Sequence, residues 1–393
     1  MGRTSSHCAV CVLALLAAVS ASPAQLRLTG QASPAYLKSD AGRSQYIIDA
    51  GRSTFAWRFD LFADAAISDN IFFLSNLRMV QDQIVHVDLF ALKVTDLAST
   101  GITVEAGEID LPFGNLGERR FPKTNPFYSL PLLHEHLTTL RSSNYQLDPG
   151  TSTYTAAGDG IRILDRGLYD LGIKVYGGIG VFDYWIAVIN GMVSATSTYS
   201  TNYGASGLDT KRGMGTIVRL AATPITGLTI GSSYATGPFL PEYSGYAFGP
   251  TYQSIDIQQH AIEGDVDFSL EHVALYGEAV YNVWTFNDLL GSDLKSVGYS
   301  LEARYTIVPR VTIAARAGEL FFNDVSLRLP SAYATYYVYN GRWDSDVLRL
   351  EGALGYRLDR AALVKLIYQS NTTLGVTEDP PDNTLIIQAV VSF

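Results

Sequence analysis

Residues 297–316 decide the fold and read VGYSLEARYTIVPRVTIAAR. Apolar and polar residues alternate with a period of two on each side of a turn at Pro309 and Arg310. The apolar positions before the turn are Val297, Tyr299, Leu301, Ala303 and Tyr305. Side chains that alternate in this way point to opposite faces of a β-strand. The stretch therefore predicts two antiparallel strands, each apolar on one face and polar on the other.

The same alternation recurs along the chain. The segments in which it is clear are 55–62, 85–91, 102–107, 170–176, 262–268, 273–282, 348–357, 362–369 and 385–393. In residues 85–91, the predicted apolar face consists of Val85, Val87, Leu89 and Ala91. Residues 181–190 are apolar at odd and even positions alike, so their orientation stays open.

The connections between these segments alternate in length. Tight turns fall near 67–70, 96–100, 177–180, 224–227, 269–272, 308–310 and 359–360. The longer connections are 38–53, 80–84, 113–159, 192–213, 238–257, 286–295, 323–345 and 371–383. Outer-membrane barrels have short turns at one end and long loops at the other. Seven hairpins and one strand at each terminus predict about sixteen strands, within a range of roughly 14–18.

Composition favours a membrane protein built from strands. Charged residues make up 17% of the chain, below the roughly 25% typical of soluble proteins. After the N-terminus no stretch reaches the roughly 20 apolar residues that a spanning helix needs. A soluble β-sandwich is the main alternative, because it also has short strands with one apolar face. The regular loop pattern favours an all-β transmembrane antiparallel β-barrel, in which a closed ring pairs every backbone polar group.

Residues 1–24 have the pattern of a secretory signal peptide. Arg3 precedes an apolar run, and small residues follow it, so cleavage after Ala21 or after Ala24 fits. Cys8 and Cys11 are the two cysteines of the chain, so residues 25–393 offer no disulfide or thiol chemistry. This predicted barrel segment has 27 basic and 38 acidic residues, which argues against nucleic acid as a partner.

Residues 113–159 form the third of the long connections. The segment has no clear period and is interrupted by Pro122, Pro126, Pro131 and Pro149. A loop of this length is usually either functional or disordered. We expect it to fold into the barrel lumen and to narrow it.

Three cations in this loop are candidates for a pore constriction. Arg119, Arg120 and Lys123 fall within five residues and would attract anions, while Glu118 would weaken that attraction. The alternative is an ordinary charged run in a solvated loop.

Several of these stretches resemble bacterial outer-membrane porins of the phosphate-selective porin O/P-like type. They are residues 107–114 (GEIDLPFG), Arg119 and Arg120, residues 125–128 (NPFY), and the last strand ending in Phe393. The resemblance implies a Gram-negative outer-membrane channel whose third loop folds inward, and a homotrimer. It also implies that the strand ending in Phe393 is recognised by the outer-membrane assembly machinery. The net acidic, mixed-charge chain departs from the cationic lumen that phosphate selectivity implies.

Two sets of charged residues occupy the alternate strand positions that are expected to face the lumen. The acidic set is Glu263, Asp265, Asp267, Glu278 and Glu302. The basic set is Arg304, Arg316, Arg349, Arg357 and Lys365. We expect these sets to form walls of opposite charge, whose transverse field would favour small polar solutes. The alternative is that they form ion pairs that hold the wall rigid.

Aromatic residues cluster in or beside two long loops. They are Tyr243, Tyr246, Phe248, Tyr252, Tyr333, Tyr336, Tyr337, Tyr339 and Trp343. Such rings could stack on sugars, but they more often form the interfacial girdle or cover loop surface. His134 and His136 lack the helix and the third ligand of a zinc site, so we expect no metal, no cofactor and no enzymatic activity.

The sequence thus favours an outer-membrane porin for passive diffusion of small hydrophilic solutes or ions. Two alternatives stay open. One is a plugged barrel with a structural or surface-adhesion role. The other is a barrel enzyme that modifies lipids, for which a histidine and a serine on the outer face would be expected.

Overall fold

The computed structural model describes residues 25–40, 53–80, 85–140, 161–165, 168–194, 213–239, 258–285, 291–330, 336–374 and 382–393. Residues 118, 327–330, 336–337 and 382 are described by their backbone alone. The predicted signal peptide, residues 141–159 of the predicted constriction loop, the aromatic run at 243–252 and Tyr333 lie outside the described residues.

Eighteen strands are present among the described residues. They are β1 Gln25–Ser39, β2 Ser53–Ser68, β3 Ile71–Met79, β4 Val85–Val94, β5 Thr103–Asp110, β6 Tyr169–Ile179, β7 Phe182–Ile189, β8 Gly215–Ile225, β9 Leu228–Pro238, β10 Gln258–Leu270, β11 Val273–Thr285, β12 Leu294–Val308, β13 Val311–Phe322, β14 Asp324–Pro330, β15 Tyr336–Arg342, β16 Asp346–Arg357, β17 Ala362–Leu374 and β18 Asp382–Ser392. Helix is limited in these residues to one α-helical turn, Leu132–Glu135, and two 3-10 turns, Leu97–Ser99 and Gly117–Arg120. No α-helix among them is long and apolar enough to cross a membrane.

Sixteen of the strands form one closed antiparallel barrel. Each pairs with its neighbours in sequence, except that β13 pairs with β16, and β1 pairs with β18 to close the ring. β14 and β15 form a separate hairpin within the seventh long loop, L7, residues 323–345. The prediction of a sixteen-stranded transmembrane-type barrel with alternating short turns and long loops is confirmed.

The seam of the barrel is closed by the last residue of the chain. Phe393 and Gly30 exchange two backbone hydrogen bonds of 3.0 Å. A Cβ atom at position 30 would come within 2.5 Å of the Phe393 ring, so only glycine fits there. The Phe393 ring also stacks on Phe59, with 6.3 Å between the ring centroids.

The outer surface is apolar around the whole ring. Exposed large apolar side chains are found on strands in every sector and include Phe55, Phe90, Leu92, Ile173, Phe182, Leu220, Ile230, Ile262, Leu275, Leu301, Ile313, Leu350, Leu366 and Ile387. A soluble protein rarely exposes so extensive an apolar surface, because its hydration is unfavourable. Such a surface suits contact with lipid.

The alternation in β4 departs from the prediction. The register between β3 and β4 shifts, so that Asn76 pairs with Leu89 whereas Leu77 pairs with Val87. Beyond this bulge Phe90 and Leu92 are the exposed residues, and Leu89 packs against the interior core. Leu89 and Ala91 were therefore predicted on the wrong face, because one extra residue reverses the faces of a strand.

The apolar core lies inside the barrel and joins several loops. L3, the third long loop, residues 111–168, contributes Leu132 and Leu133, and the fourth, residues 190–214, contributes Met192. Trp343 of L7 packs edge-on against Trp284 of β11, at 5.5 Å between centroids. The prediction that Trp343 belongs to an interfacial girdle or covers loop surface is wrong, since this side chain is fully buried.

The apolar belt gives a test of the fold. Leu301 is exposed at the middle of β12, and Leu358 is equally exposed but lies in a turn. We expect Leu301→Arg to lower the free energy of unfolding by about 2–4 kcal/mol, because it places a charge in hydrocarbon, and Leu358→Arg by only about 0–1 kcal/mol. Urea unfolding in lipid vesicles measures both. Equal losses would contradict this placement of the belt.

Candidate functional site

L3 crosses the barrel interior. The Gly114 N–H donates to Ser233 Oγ of β9 at 3.1 Å, and the Lys123 N–H donates to the Gln31 side chain of β1 at 3.0 Å. β1 and β9 are eight strands apart in either direction around the ring, so they face each other. The chain therefore spans the lumen between residues 114 and 123.

Lys365 fastens L3 to β17. Its ammonium group is fully buried and donates to the carbonyl oxygens of Pro122, Asn125 and Phe127, at 2.9, 3.0 and 3.4 Å. Three carbonyl acceptors match the three donors of an ammonium group. Lys365 therefore acts as a clamp on the loop and presents no charge to solution.

Two arginines fasten the next part of L3. Arg316 pairs with Glu351 at 2.6 Å, and donates to the carbonyl oxygens of Ser129 and Leu130 at 2.9 and 3.1 Å. Arg349 donates to Asn371 at 2.7 Å and to the Leu130 carbonyl at 3.3 Å. Both guanidinium groups are buried, and each links a strand to the loop backbone.

The remaining predicted basic residues differ from these three. Arg304 is partly exposed and donates to the Thr124 carbonyl at 2.9 Å, and it lies 3.4 Å from Glu302. Arg357 has the same strand parity as Arg349, but it is exposed at the end of β16, next to a turn. Whether either one contributes to selectivity stays a prediction.

The predicted acidic residues are mostly buried and partnered. Asp265 receives two hydrogen bonds from Arg219 of β8, at 2.6 and 3.0 Å. Glu302 lies between Arg304 and Arg316, and Asp267 accepts a hydrogen bond from the Asn115 side chain at 3.4 Å. Glu263 and Glu278 are buried beside Gly114 of L3.

The two charged sets occupy neighbouring sectors of the wall. The acidic residues lie on β10, β11 and β12, and the basic ones on β12, β13, β16 and β17. A transverse field between facing walls does not follow from this arrangement. In the described residues the contacts instead match the alternative interpretation, in which lumen ion pairs hold the wall and the loop rigid.

The three predicted constriction cations lie where L3 crosses the lumen. Arg119 stacks on Tyr276 of β11 at 4.2 Å, and its guanidinium group also donates to the Asn115 carbonyl. Arg120 stacks on Tyr169 of β6 at 4.6 Å and lies 3.9 Å from Asp110. Lys123 is exposed. The Glu118 side chain lies outside the described part of the chain.

Burial separates the acids from these cations. Among the described residues, thirteen Asp and Glu side chains are buried, but only five Lys and Arg. Other acids stay accessible, and Asp110 beside Arg120 is more exposed than Arg120 itself. Arg119 and Arg120 are half-buried, and Lys123 is exposed.

Several lumen charges were not singled out by sequence reasoning. Arg58 pairs with Asp60 at 2.8 Å and donates to the Arg120 carbonyl at 3.3 Å. On β6, four strands away, Lys174 lies 2.8 Å from Glu105 of β5, which also accepts a hydrogen bond from Tyr176. The available signal was that each of these residues lies on the polar face of an alternating strand. That alternation does not reveal which charged side chains contact each other.

The two histidines of L3 are buried in different surroundings. His134 lies 3.6 Å from Glu278, and His136 lies 3.3 Å from Asp344 of L7. Within the described ranges, no group of three or more His, Cys, Asp or Glu side chains is placed to hold a metal ion.

Comparison with known proteins supports the architecture. No protein-family model matches the chain, and no curated protein matches its sequence. Solved structures do match. An anion-selective porin from Comamonas acidovorans has a TM-score of 0.56 at 10% identity, covering 94% of this chain and 100% of the porin.

The fold is that of the outer-membrane porins. OmpF of Salmonella typhi, in a complex with daunomycin, matches with a TM-score of 0.56 at 11% identity, over 94% of this chain and 97% of OmpF. The trimer form of OmpT, an outer membrane protein of Vibrio cholerae, matches at 0.52 and 10% identity, over 94% and 99%. Such identities establish the fold alone. They support a general porin fold and not the phosphate-selective type.

The clamp at Lys365 can be tested by its removal. We expect Lys365→Met to lower the free energy of unfolding by about 1–3 kcal/mol, because it leaves buried carbonyl acceptors without a donor. Lys123→Met removes the same group from an exposed position and should change stability by less than about 0.5 kcal/mol. Urea unfolding in lipid vesicles compares the two. A loss at Lys365 no larger than at Lys123 would contradict the clamp.

Proposed function

We propose that this protein is an outer-membrane porin through which small hydrophilic solutes or ions diffuse passively. The observation that carries the proposal is the course of L3, which spans the lumen from β9 to β1 and exposes cations along the way. A barrel of sixteen strands is wide enough to hold an aqueous channel. The loop then narrows the channel without needing a cofactor.

We further propose that the constriction favours anions. The guanidinium groups of Arg119 and Arg120 lie over the rings of Tyr276 and Tyr169, both residues are half-buried, and Lys123 extends the positive stretch. Rings of charged side chains set ion preference in narrow pores because they attract ions of the opposite charge. Asp110, which lies 3.9 Å from Arg120, weakens the positive electrostatic potential of these cations. This mixture supports a general anion preference rather than a dedicated phosphate site.

The surroundings of the barrel follow from the same proposal. The apolar belt fits the lipid of the bacterial outer membrane. The last strand, which ends in Phe393 at the seam, is the element we propose for recognition by the assembly machinery. A homotrimer is supported by the resemblance seen in the sequence and by the trimer form of the Vibrio cholerae protein.

A plugged barrel with a structural or adhesive role is the second candidate. It is favoured by the interior apolar core, in which Leu133, Met192, Trp284 and Trp343 are fully buried. This core also contacts the wall widely, since its members come from β4, β5, β7–β13 and β16. The porin proposal requires a continuous water path past it, along Arg120 and Lys123.

Planar-bilayer recording tests the porin proposal. We expect steady single-channel conductance, with a reversal potential in a salt gradient that indicates anion preference. Arg119→Ala/Arg120→Ala should shift the reversal potential toward cation preference, because it removes two accessible positive charges. Arg310→Ala/Arg360→Ala, with the same charge change in two exposed turn positions, should leave the reversal potential close to that of the wild type.

The outcomes separate the candidates. Equal reversal potentials for both double variants and the wild type would contradict the proposed anion preference of the constriction. They would still be consistent with a porin. Absence of conductance from folded protein would contradict the porin and favour the plugged barrel.

A further inference from the structure

A group of charged and aromatic side chains lies on the lumen wall where L3 meets β10–β12. Asp267 of β10 lies opposite Tyr276 of β11, and Arg304 belongs to β12. Each of the three lies three or four residues from the strand end that leads into a tight turn. In outer-membrane barrels the tight turns face the periplasm. The group therefore lies on the periplasmic side of the place where L3 reaches the wall.

Two guanidinium groups share the ring of Tyr276. The guanidinium carbon of Arg119, which belongs to L3, lies 4.2 Å from the ring centroid. That of Arg304, which belongs to the wall, lies 5.8 Å from the same centroid. The ring therefore holds one cation of the loop and one cation of the wall next to each other.

Both arginines have hydrogen-bond donors that are not used. A guanidinium group has five N–H donors. Arg119 donates to the Asn115 carbonyl, and Arg304 uses a single nitrogen for the Thr124 carbonyl at 2.9 Å and for Glu302 at 3.4 Å. The Nε of Arg304 has no partner among the described residues. The Arg304 side chain is 24% exposed and Arg119 is half-buried, so a carboxylate in the lumen can accept hydrogen bonds from both.

Asp267 supplies the opposite charge at the same place. It is half-buried and interacts electrostatically with Arg119 and Arg304. Within the described part of the chain, neither guanidinium group lies close enough to it for an ion pair, and its hydrogen bond comes from the Asn115 side chain at 3.4 Å. A free carboxylate oxygen thus lies beside two cations whose donors are mostly unused.

We propose that Arg119, Arg304 and Asp267 form a binding site for small zwitterions of the α-amino acid class. The carboxylate of such a solute accepts hydrogen bonds from the two arginines, and its ammonium group donates to Asp267. A simple anion is repelled by Asp267 and a simple cation by the arginines, whereas a zwitterion is attracted at both ends. The proposal rests on the proposed porin function and narrows its class of solute.

Liposome swelling with two isomeric solutes tests the proposal. Glycine is a zwitterion, and glycolamide has the same atoms but no charge, so the ratio of their fluxes reports charge recognition rather than size. Asp267→Asn keeps the size of the side chain and an oxygen that accepts from Asn115. We expect it to lower the glycine-to-glycolamide flux ratio about two- to fivefold, because it removes one partly exposed charge contact. If Arg119 served only to hold L3 on Tyr276, this ratio would not change.

Two further variants sharpen the test. Asp183→Asn is the matched control, because it removes a carboxylate from the inward face of β7 at the same end of the barrel, and it should keep the wild-type flux ratio. Arg304→Gln removes one of the two cations and should also lower the ratio. In planar bilayers Asp267→Asn should shift the reversal potential toward anion preference, whereas Arg304→Gln should shift it the opposite way.

An unchanged flux ratio in Asp267→Asn, or an equal fall in Asp183→Asn, would overturn the proposal, while flux of glycolamide would still support the porin. If neither isomer permeates, the porin is contradicted, and saturation-transfer NMR of glycine with the detergent-solubilised protein decides on the site. A glycine signal that weakens in Asp267→Asn would then support the site. No glycine signal with the wild type would overturn it.

Discussion

Closure of the strand ring is the constraint on which the rest of the structure depends. Lipid offers no hydrogen bonds, so a sheet in a membrane must pair its first strand with its last. Here β1 pairs with β18, and Phe393 bonds to Gly30 across the seam. In a closed barrel every second side chain of a strand points inward, whether or not that side chain serves a passing solute. Beside the apolar core, many of these inward positions carry polar side chains, and these polar groups must find partners.

L3 supplies many of those partners. Its backbone carbonyls accept hydrogen bonds from Lys365, Arg316 and Arg349, and its Gly114 fits against buried carboxyl groups of β10 and β11. Wall charges that would otherwise bind ions instead hold the loop in position. Accessible charges remain on the loop, at Arg119, Arg120 and Lys123, and on the wall, at Arg58, Lys93 and Arg304. We propose that the loop cations contribute to selectivity where the chain crosses the lumen.

The barrel could be predicted from the sequence because the alternation of apolar and polar residues and the lengths of the loops are local properties. It placed the seven tight turns and the face of most strands, but failed at β4, where a bulge reverses the faces from Leu89 onward. It also identified the inward charges of β10–β17. It could not show that Lys365 meets three carbonyls of a loop some 240 residues earlier, because such contacts depend on the path of an aperiodic segment. Burial of Trp343 was missed for the same reason.

The most direct test of the account is accessibility of position 123 within a conducting channel. The chain has no cysteine after Cys11, so Lys123→Cys introduces a single reactive thiol into the barrel. A bulky methanethiosulfonate reagent should then reduce the single-channel current, whereas Arg360→Cys, in an exposed turn, should conduct as before. We expect loss of current only at position 123. Complete labelling at position 123 with unchanged current would contradict it, because the solute path would then not pass L3.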